Sequence, residues 1–295
     1  MNLFHLFLLL SVIAVWGINF VAIKTGLMGL PPIFLCFARF LFCLPALLFV
    51  KRPPVSFKLI ATYSLLMFVL QFSVLFIAMR SGISAGLASV LLQFQSFFAI
   101  AFAVLFMGEK YHVWQGAGAL VAFLGLVLIA AHVGGDVTPS GLILILIASV
   151  MWAAGSVLAK KMKGSALSLV VWSSLLACPP LLILSFLFEG RETIVASIRN
   201  LSWIHFGAVS YIALISTLFG FGIWNWLLQR YPLTKLSPFT LLVPIVGMLS
   251  SAFFLGEELH WWKLAAAGLI AVGVGINVLA SRTHESIRIS TTYTK

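Results

Sequence analysis

The chain has 295 residues, of which 62% are hydrophobic and 8% are charged. Soluble domains have roughly a quarter of their residues charged, so this composition excludes a mostly water-exposed surface and places the chain in a lipid bilayer. The net charge of +11 would suggest nucleic-acid binding in a soluble protein. No basic run or basic helix stands out among the apolar segments, so we expect no nucleic-acid partner.

Apolar segments follow one another along almost the whole chain, and each approaches the roughly 20 residues that a helix needs to cross a bilayer. No Lys or Arg precedes the first segment, which argues against a cleaved signal peptide. Short connections, most of them with Pro or Gly, separate the segments. We therefore predict an all-α integral membrane protein with ten transmembrane helices, near residues 3–23, 33–50, 59–79, 83–107, 111–131, 140–159, 168–188, 205–229, 236–256 and 263–281.

Lys and Arg are distributed unevenly between alternate connections. With the N-terminus placed in the cytoplasm, most of the 18 basic residues lie in cytoplasmic connections or in the C-terminal tail. Because cytoplasmic loops carry the excess of Lys and Arg, both termini are predicted to be cytoplasmic. Residues 283–295 are polar and rich in Ser and Thr, and we expect them to form a disordered cytoplasmic tail.

Two pairs of short segments indicate an internal repeat. Residues 16–24 read WGINFVAIK and residues 152–160 read WAAGSVLAK, while GEKYHVW at 108–114 is matched by GEELHWW at 256–262. Each half then holds five helices, and an odd number inserts the second half upside down, which is a mark of secondary transporters. The predicted domains are a first five-helix repeat (1–135), a second, inverted five-helix repeat (136–282) and the polar tail (283–295).

Five stretches of the sequence match a known family pattern. They are VWGINFVAIK (15–24), Pro31-Pro32 followed by Ala38-Arg39-Phe40, SAGLASVLLQFQSFF (84–98), GEKYHVWQGAG (108–118) and LVPIVGMLSSAFFLGEEL (242–259). On these stretches, over about residues 6–281, the sequence resembles the drug/metabolite transporter superfamily, EamA type. The resemblance implies ten helices in two inverted repeats and a secondary transporter that exports small polar metabolites across the bacterial inner membrane. Within the family the sequence is most similar to exporters of O-acetylserine and cysteine.

Motifs of other functional classes are missing from the sequence. It has no phosphate-binding Gly-Lys-Ser/Thr loop, no His-Glu-x-x-His, no Cys-x-x-Cys and no plausible Ser-His-Asp set. We therefore expect no enzyme activity, no metal and no cofactor, with the lipid bilayer and a small molecule such as an amino acid as partners. A channel, a non-transporting membrane subunit and a proton-coupled antiporter are alternatives, and the choice between monomer and homodimer is left open.

Transporters with inverted repeats bind substrate near the midplane, so polar and aromatic residues deep in the helices are the candidate site residues. Trp16 and Trp152 occupy matching positions, and Asn19 and Ser156 share the helix faces of their respective tryptophans. One interpretation is that the four side chains line a central cavity. The other is that the tryptophans fill the interhelical core and that Asn19 bonds a neighbouring backbone.

The predicted helix at 83–107 carries Ser89, Gln93, Gln95 and Ser96 in its interior. Helical spacing places Ser89, Gln93 and Ser96 on one face and Gln95 on another. We expect Ser89 and Gln93 to face the cavity and Gln95 to hydrogen-bond a neighbouring helix.

Amides also occur deep in two other predicted helices. Gln71 lies near the middle of the third helix, and Asn225 lies in the eighth beside Trp224. We predict that these three residues contact the substrate. Interhelical hydrogen bonding is the alternative role for the two amides.

Arg39 is the one charged residue within a predicted helix. Since a guanidinium suits a carboxylate geometrically, Arg39 is a candidate clamp for a substrate carboxylate. The second interpretation is an ion pair with Glu257 or Glu258, which lie in a connection on the same side.

The positions of the acids and histidines along the chain bear on the driving force of transport. All 7 acids and 6 histidines fall at helix ends or in connections. A proton-coupled pump usually keeps an ionisable carboxylate or imidazole within the membrane. We therefore expect transport to follow the substrate's own gradient or an exchange.

Overall fold

The computed structural model describes the backbone of residues 2–107, 113–132, 137–159, 162, 164–228, 230–231, 239–240 and 242–292. Within these ranges the description leaves out the side chains at positions 96, 100, 103, 104, 106, 107, 115, 157, 166, 225, 228 and 277–292. All regular secondary structure in the described part of the chain is helical.

Two α-helical series, one in each half of the chain, make up the fold. The first half contains α1 (Leu3–Gly29), α2 (Pro32–Leu41), α3 (Phe57–Tyr63), α4 (Gln71–Arg80), α5 (Ala85–Leu91), α6 (Gln95–Met107) and α7 (Val113–Ala130). The second half contains α8 (Pro139–Ala159), α9 (Ala166–Phe188), α10 (Arg191–Arg199), α11 (Trp203–Ser210), α12 (Gly220–Leu228), α13 (Leu242–Leu255) and α14 (Trp261–Thr292).

Apolar helices coincide with the ten predicted segments. Five are long enough to cross a bilayer, namely Leu3–Gly29, Phe57–Arg80, Pro139–Ser156, Leu167–Phe188 and Trp203–Trp224. Five more are shorter, namely Pro32–Leu48, Ala85–Ala99, Gly116–Ala130, Leu242–Leu255 and Trp261–Ile276. The surface that they form is apolar, because Phe49, Trp203 and Phe253 expose 87%, 87% and 82% of their area. Large exposed apolar areas of this kind promote aggregation in water, whereas they are suited to contact with lipid.

Two of the long helices are built alike. In each, a serine caps the first turn: Ser56 accepts a hydrogen bond from Leu59 N, and Ser202 accepts one from His205 N. After about two turns both helices widen into a π-helical stretch, which is rare and frequently found at functional sites. The stretches are Ser64–Leu70, between α3 and α4, and Tyr211–Phe219, between α11 and α12.

Small residues allow close helix contacts between the two halves. A Cβ atom on Gly17 of α1 would lie 2.5 Å from Val246 Cβ of α13, and one on Gly155 of α8 would lie 2.8 Å from Met67 Sδ. A Cβ atom on Gly273 of α14 would clash with the Gly118 carbonyl oxygen of α7, so this pair of helices is in backbone contact.

Three details of the predicted elements need correction. The connection between the predicted helices at 168–188 and 205–229 contains a further helix, α10, which was not predicted. The segment expected to be a disordered tail is helical to Thr292, as the end of α14. A 3-10 stretch, Leu92–Phe94, interrupts the helix predicted at 83–107, so the α-helical spacing assumed there does not run unbroken.

Candidate functional site

Trp16 of α1 contacts the second half of the chain through hydrogen bonding and ring packing. Its indole Nε1 donates to the Ser216 carbonyl oxygen at 3.2 Å. Its ring centroid lies 5.5 Å from that of Trp224 and 5.5 Å from that of Phe221, both on α12. The structure therefore brings together two of the predicted site residues, Trp16 and Trp224, from helices far apart in sequence.

Arg39 of α2 is buried, with 2% of its area exposed. Its Nε donates to Thr217 Oγ1 at 3.0 Å, and the Thr217 hydroxyl in turn donates to the Ile212 carbonyl oxygen at 2.7 Å. The guanidinium carbon lies 3.9 Å from the centroid of the Phe72 ring, which is a cation–π contact. Arg39 Nη1 is buried and has no hydrogen-bond partner.

Trp152 of α8 continues this set of contacts through the ring of Phe72. The two ring centroids are 6.2 Å apart and the rings meet edge to face at 82°. Successive contacts thus pass back and forth between the two halves of the chain. We call this set the central row, and it consists of Trp16, Ser216, Thr217, Arg39, Phe72 and Trp152.

An ion pair between Arg39 and a connection acid was the second interpretation of the sequence, and the structure corrects it. The Glu257 carboxylate accepts hydrogen bonds from Ala85 N at 2.7 Å and Gly86 N at 3.1 Å. Glu258 lies 2.9 Å from His260 Nε2. Because backbone amides and a histidine satisfy these acids, neither compensates the buried guanidinium.

Two of the predicted amide residues are buried with atoms that lack partners. Gln71 has 0% of its area exposed, and neither its Oε1 nor its Nε2 has a hydrogen-bond partner. Asn19 Oδ1 is also buried without a partner. Burying an amide without a hydrogen bond lowers the stability of a protein by roughly 1–3 kcal/mol. A ligand that hydrogen-bonds these atoms would offset this loss.

The two predicted serine residues are already hydrogen-bonded within their own helices. Ser89 donates to the Gly86 carbonyl oxygen at 2.6 Å, and Ser156 donates to the Trp152 carbonyl oxygen at 2.9 Å. Ser89 also packs against Gly247, where a Cβ atom would collide with its hydroxyl. In this conformation Ser89 fits a helix-packing contact between α5 and α13.

The glutamines of the interrupted helix differ from the sequence-based expectation. Gln93 is buried within the 3-10 stretch, where each residue turns further around the axis than in an α-helix. Its direction relative to Ser89 is therefore shifted from the predicted common face. Gln95 Oε1 lacks the interhelical hydrogen bond expected for it. The side chains of Ser96 and Asn225 lie outside the described residues.

None of the predicted site residues lines either of two cavities formed by described residues. One, of about 180 Å³, is apolar and lies between α2, α10 and α11. The other, of about 280 Å³, lies near Arg80 and Glu189 at one end of the molecule. In this conformation Arg39, Phe72 and Thr217 of the central row are buried, whereas Trp16 and Trp152 are partly exposed.

Sequence reasoning missed Thr217, Ser216 and Phe72. A signal for Thr217 was present, because Thr217 follows Ser202 by as many residues as Gln71 follows Ser56. Aligning the two serine caps would have matched a predicted site residue with Thr217. Phe72 and Ser216 carry no comparable signal, since one is an ordinary apolar residue and the other acts through its backbone carbonyl.

Long apolar helices and buried polar groups between the two halves of the described chain are typical of a membrane transport protein. The model of the EamA-like transporter family matches residues 3–131 and 139–279, and the chain belongs to this family. The two matched stretches lie on either side of residue 135, where the sequence predicted the boundary between the repeats.

Relatives match over almost their whole length. The chain is 41% identical over 292 residues to a protein of Salmonella typhimurium strain LT2 named "Probable amino-acid metabolite efflux pump", covering 96% of this chain and 98% of the relative. It is 38% identical over 290 residues to a protein of the same name from Escherichia coli strain K12, covering 96% and 97%. One solved crystal structure matches this chain with a TM-score of 0.65 at 16% identity. The match covers 96% of this chain and 99% of the chain in that structure. That last likeness concerns the fold alone.

Proposed function

We propose that this chain exports amino acids or closely related metabolites, such as cysteine and O-acetylserine, across the bacterial inner membrane. The names of the relatives at 41% and 38% identity support the substrate class. The observation that carries the proposal is Arg39, a buried cation between the two halves whose Nη1 has no partner. Charged groups within membrane helices are costly and mark substrate or ion pathways.

The proposed architecture has ten membrane crossings in two inverted repeats, with both termini cytoplasmic. Its support is the agreement between the ten predicted segments and the ten apolar helices found among the described residues. The similar construction of Phe57–Arg80 and Trp203–Trp224, each with a π-helical stretch, is a second argument. Alternating access then consists of rocking one repeat against the other around the central row.

The substrate in this proposal binds along the central row. Its carboxylate pairs with Arg39, its aliphatic part packs between Trp16, Trp152 and Trp224, and the amides of Gln71 and Asn19 take its remaining polar groups. Ser89, Gln93, Ser156 and Asn225 complete the proposed site in a conformation more open than the one described.

Transport in this proposal is facilitated diffusion or exchange. The carboxylates of Glu189 and Glu257 lie at helix ends, where they accept hydrogen bonds from backbone amides. None of the acids whose side chains are described belongs to the central row. A proton-coupled antiporter would need an acid or a histidine to titrate along the substrate path.

Counterflow in proteoliposomes tests the proposal. Vesicles loaded with unlabelled O-acetylserine or cysteine are expected to accumulate the labelled compound transiently and with a saturable rate. Uphill accumulation under an imposed pH gradient alone would instead indicate proton coupling, and ion conductance in a planar bilayer would indicate a channel.

A further inference from the structure

The hydroxyl of Thr217 connects the π-helical stretch of the second half to Arg39 of the first. Thr217 has 0% of its area exposed, so water does not compete for its hydrogen bonds. Its proton is committed to the Ile212 carbonyl oxygen, five residues earlier. The hydroxyl can therefore only accept from Arg39, and the backbone fixes the direction in which it does so.

Two contacts hold the guanidinium of Arg39, and a third holds the chain segment that carries it. Its Nε is held by Thr217 at 3.0 Å, and one face lies on the Phe72 ring at 3.9 Å. The helix that carries it is attached to the same π-helical stretch, because the Cys43 thiol lies 3.4 Å from the Arg39 carbonyl oxygen and 3.5 Å from that of Ala213. The Nη1 edge is left without a partner.

A guanidinium held in this way is suited to one kind of ligand. A buried cation without a counter-ion is strongly unfavourable, so the edge of Arg39 favours an anion. A carboxylate matches the spacing of guanidinium N–H groups, and the apolar rings of Phe72 and Phe40 nearby do not compete for it.

We propose that Thr217 is a positioning residue that orients Arg39 toward the carboxylate of the exported substrate. This inference rests on the export function proposed above and narrows it. The substrate carries a free carboxylate, and the corresponding esters, which lack the negative charge, are poor substrates. Thr217 acts through Arg39 and does not itself contact the substrate.

Substitutions at position 217 separate positioning from packing. Thr217→Val keeps the shape and removes the hydroxyl, while Thr217→Ser keeps the hydroxyl and removes a methyl group. Losing one hydrogen bond to a charged group corresponds to roughly a 10- to 100-fold change in an equilibrium constant. We expect Thr217→Val to raise the KM for cysteine by about this factor with little change in kcat, and Thr217→Ser to stay near the wild type.

The measurement is counterflow of radiolabelled L-cysteine in proteoliposomes, with unlabelled L-cysteine or L-cysteine methyl ester as competitor. The ester is expected to compete poorly with the wild type, and ester competition equal to that of cysteine would overturn the carboxylate assignment. An unchanged KM in an active Thr217→Val protein would overturn the positioning role alone. If Thr217→Val does not insert, Thr217→Ala is measured against the same criterion. Absence of cysteine and O-acetylserine counterflow in the wild type would instead overturn the export function and this inference with it.

Discussion

The carboxylate of Glu257 caps the first turn of α5, where its Oε1 accepts a hydrogen bond from Ala85 N at 2.7 Å. Its Oε2 accepts another from Gly86 N at 3.1 Å. Glu189 holds the start of α2 in the same way, through Ile33 N at 2.6 Å and Phe34 N at 2.9 Å. Both acids belong to the second half and both capped helices to the first. The two halves are therefore joined at helix N-termini, where the helix dipole favours negative charge.

Glu257→Gln is expected to destabilise the protein, because the charge and one acceptor oxygen are lost. Hydrogen bonds to charged groups contribute about 1.5–3 kcal/mol each, so the unfolding temperature in detergent should fall measurably. Intrinsic tryptophan fluorescence during heating provides the measurement. Glu258→Gln is the matched control, since its side chain is 77% exposed and an exposed pair contributes about 0–1 kcal/mol. Equal effects of the two substitutions would contradict the capping role.

Gly273→Ala tests the contact between α7 and α14. The added methyl group would lie 2.7 Å from Ala122 N and 2.8 Å from Ala122 Cβ, so the helices must separate, at a cost of about 1–3 kcal/mol. Gly268→Ala on the same helix is the control, because its Cβ would meet nothing within 4 Å and alanine favours a helix. The unfolding temperatures of the two variants should differ, with Gly268→Ala at or above the wild type. Similar values would show that the contact has little influence on stability.

The helices could be predicted from the sequence because long apolar runs leave few other structures in a bilayer. The departures from α-helical geometry, by contrast, could not be predicted from the sequence. The residues of Ser64–Leu70 resemble the rest of their helix in composition, and packing rather than local sequence decides whether they form a π-helix. Similarly, Glu257 was placed at a helix end, but its bonds to Ala85 and Gly86 depend on how distant helices meet.

The candidate site, like the fold, could be predicted only in part from the sequence. Trp16, Arg39 and Gln71 stood out because Trp and polar residues are unusual deep in an apolar helix. Their neighbours did not stand out, since Arg39 meets Thr217 only when α2 packs against the second half. The proposed ion pair of Arg39 failed for a related reason. An acid on the same side of the membrane was available by sequence, but backbone amides had already satisfied it.

Arg39→Met separates folding from transport. Methionine keeps an unbranched apolar side chain and removes a buried charge that has no counter-ion among the described residues, so the unfolding temperature should equal or exceed that of the wild type. Counterflow of cysteine should be abolished, because the carboxylate loses its partner. Arg191→Met, an exposed position at the start of α10, should leave both quantities unchanged. A large loss of stability in Arg39→Met would indicate a structural cation and remove support for the carboxylate clamp.

Gln71→Leu decides between the two roles considered for Gln71. Both amide atoms are buried without a partner, so leucine removes an unfavourable burial and should leave the protein as stable as the wild type or more so. If the amide binds substrate, the KM for cysteine should rise by roughly 10-fold, the equivalent of one lost hydrogen bond. Thr62→Val is the control on the same long helix, because the hydroxyl of Thr62 is exposed and donates to the Lys58 carbonyl oxygen of its own helix. A fall in stability with an unchanged KM would mean that Gln71 joins helices by hydrogen bonding, and that the substrate path runs elsewhere.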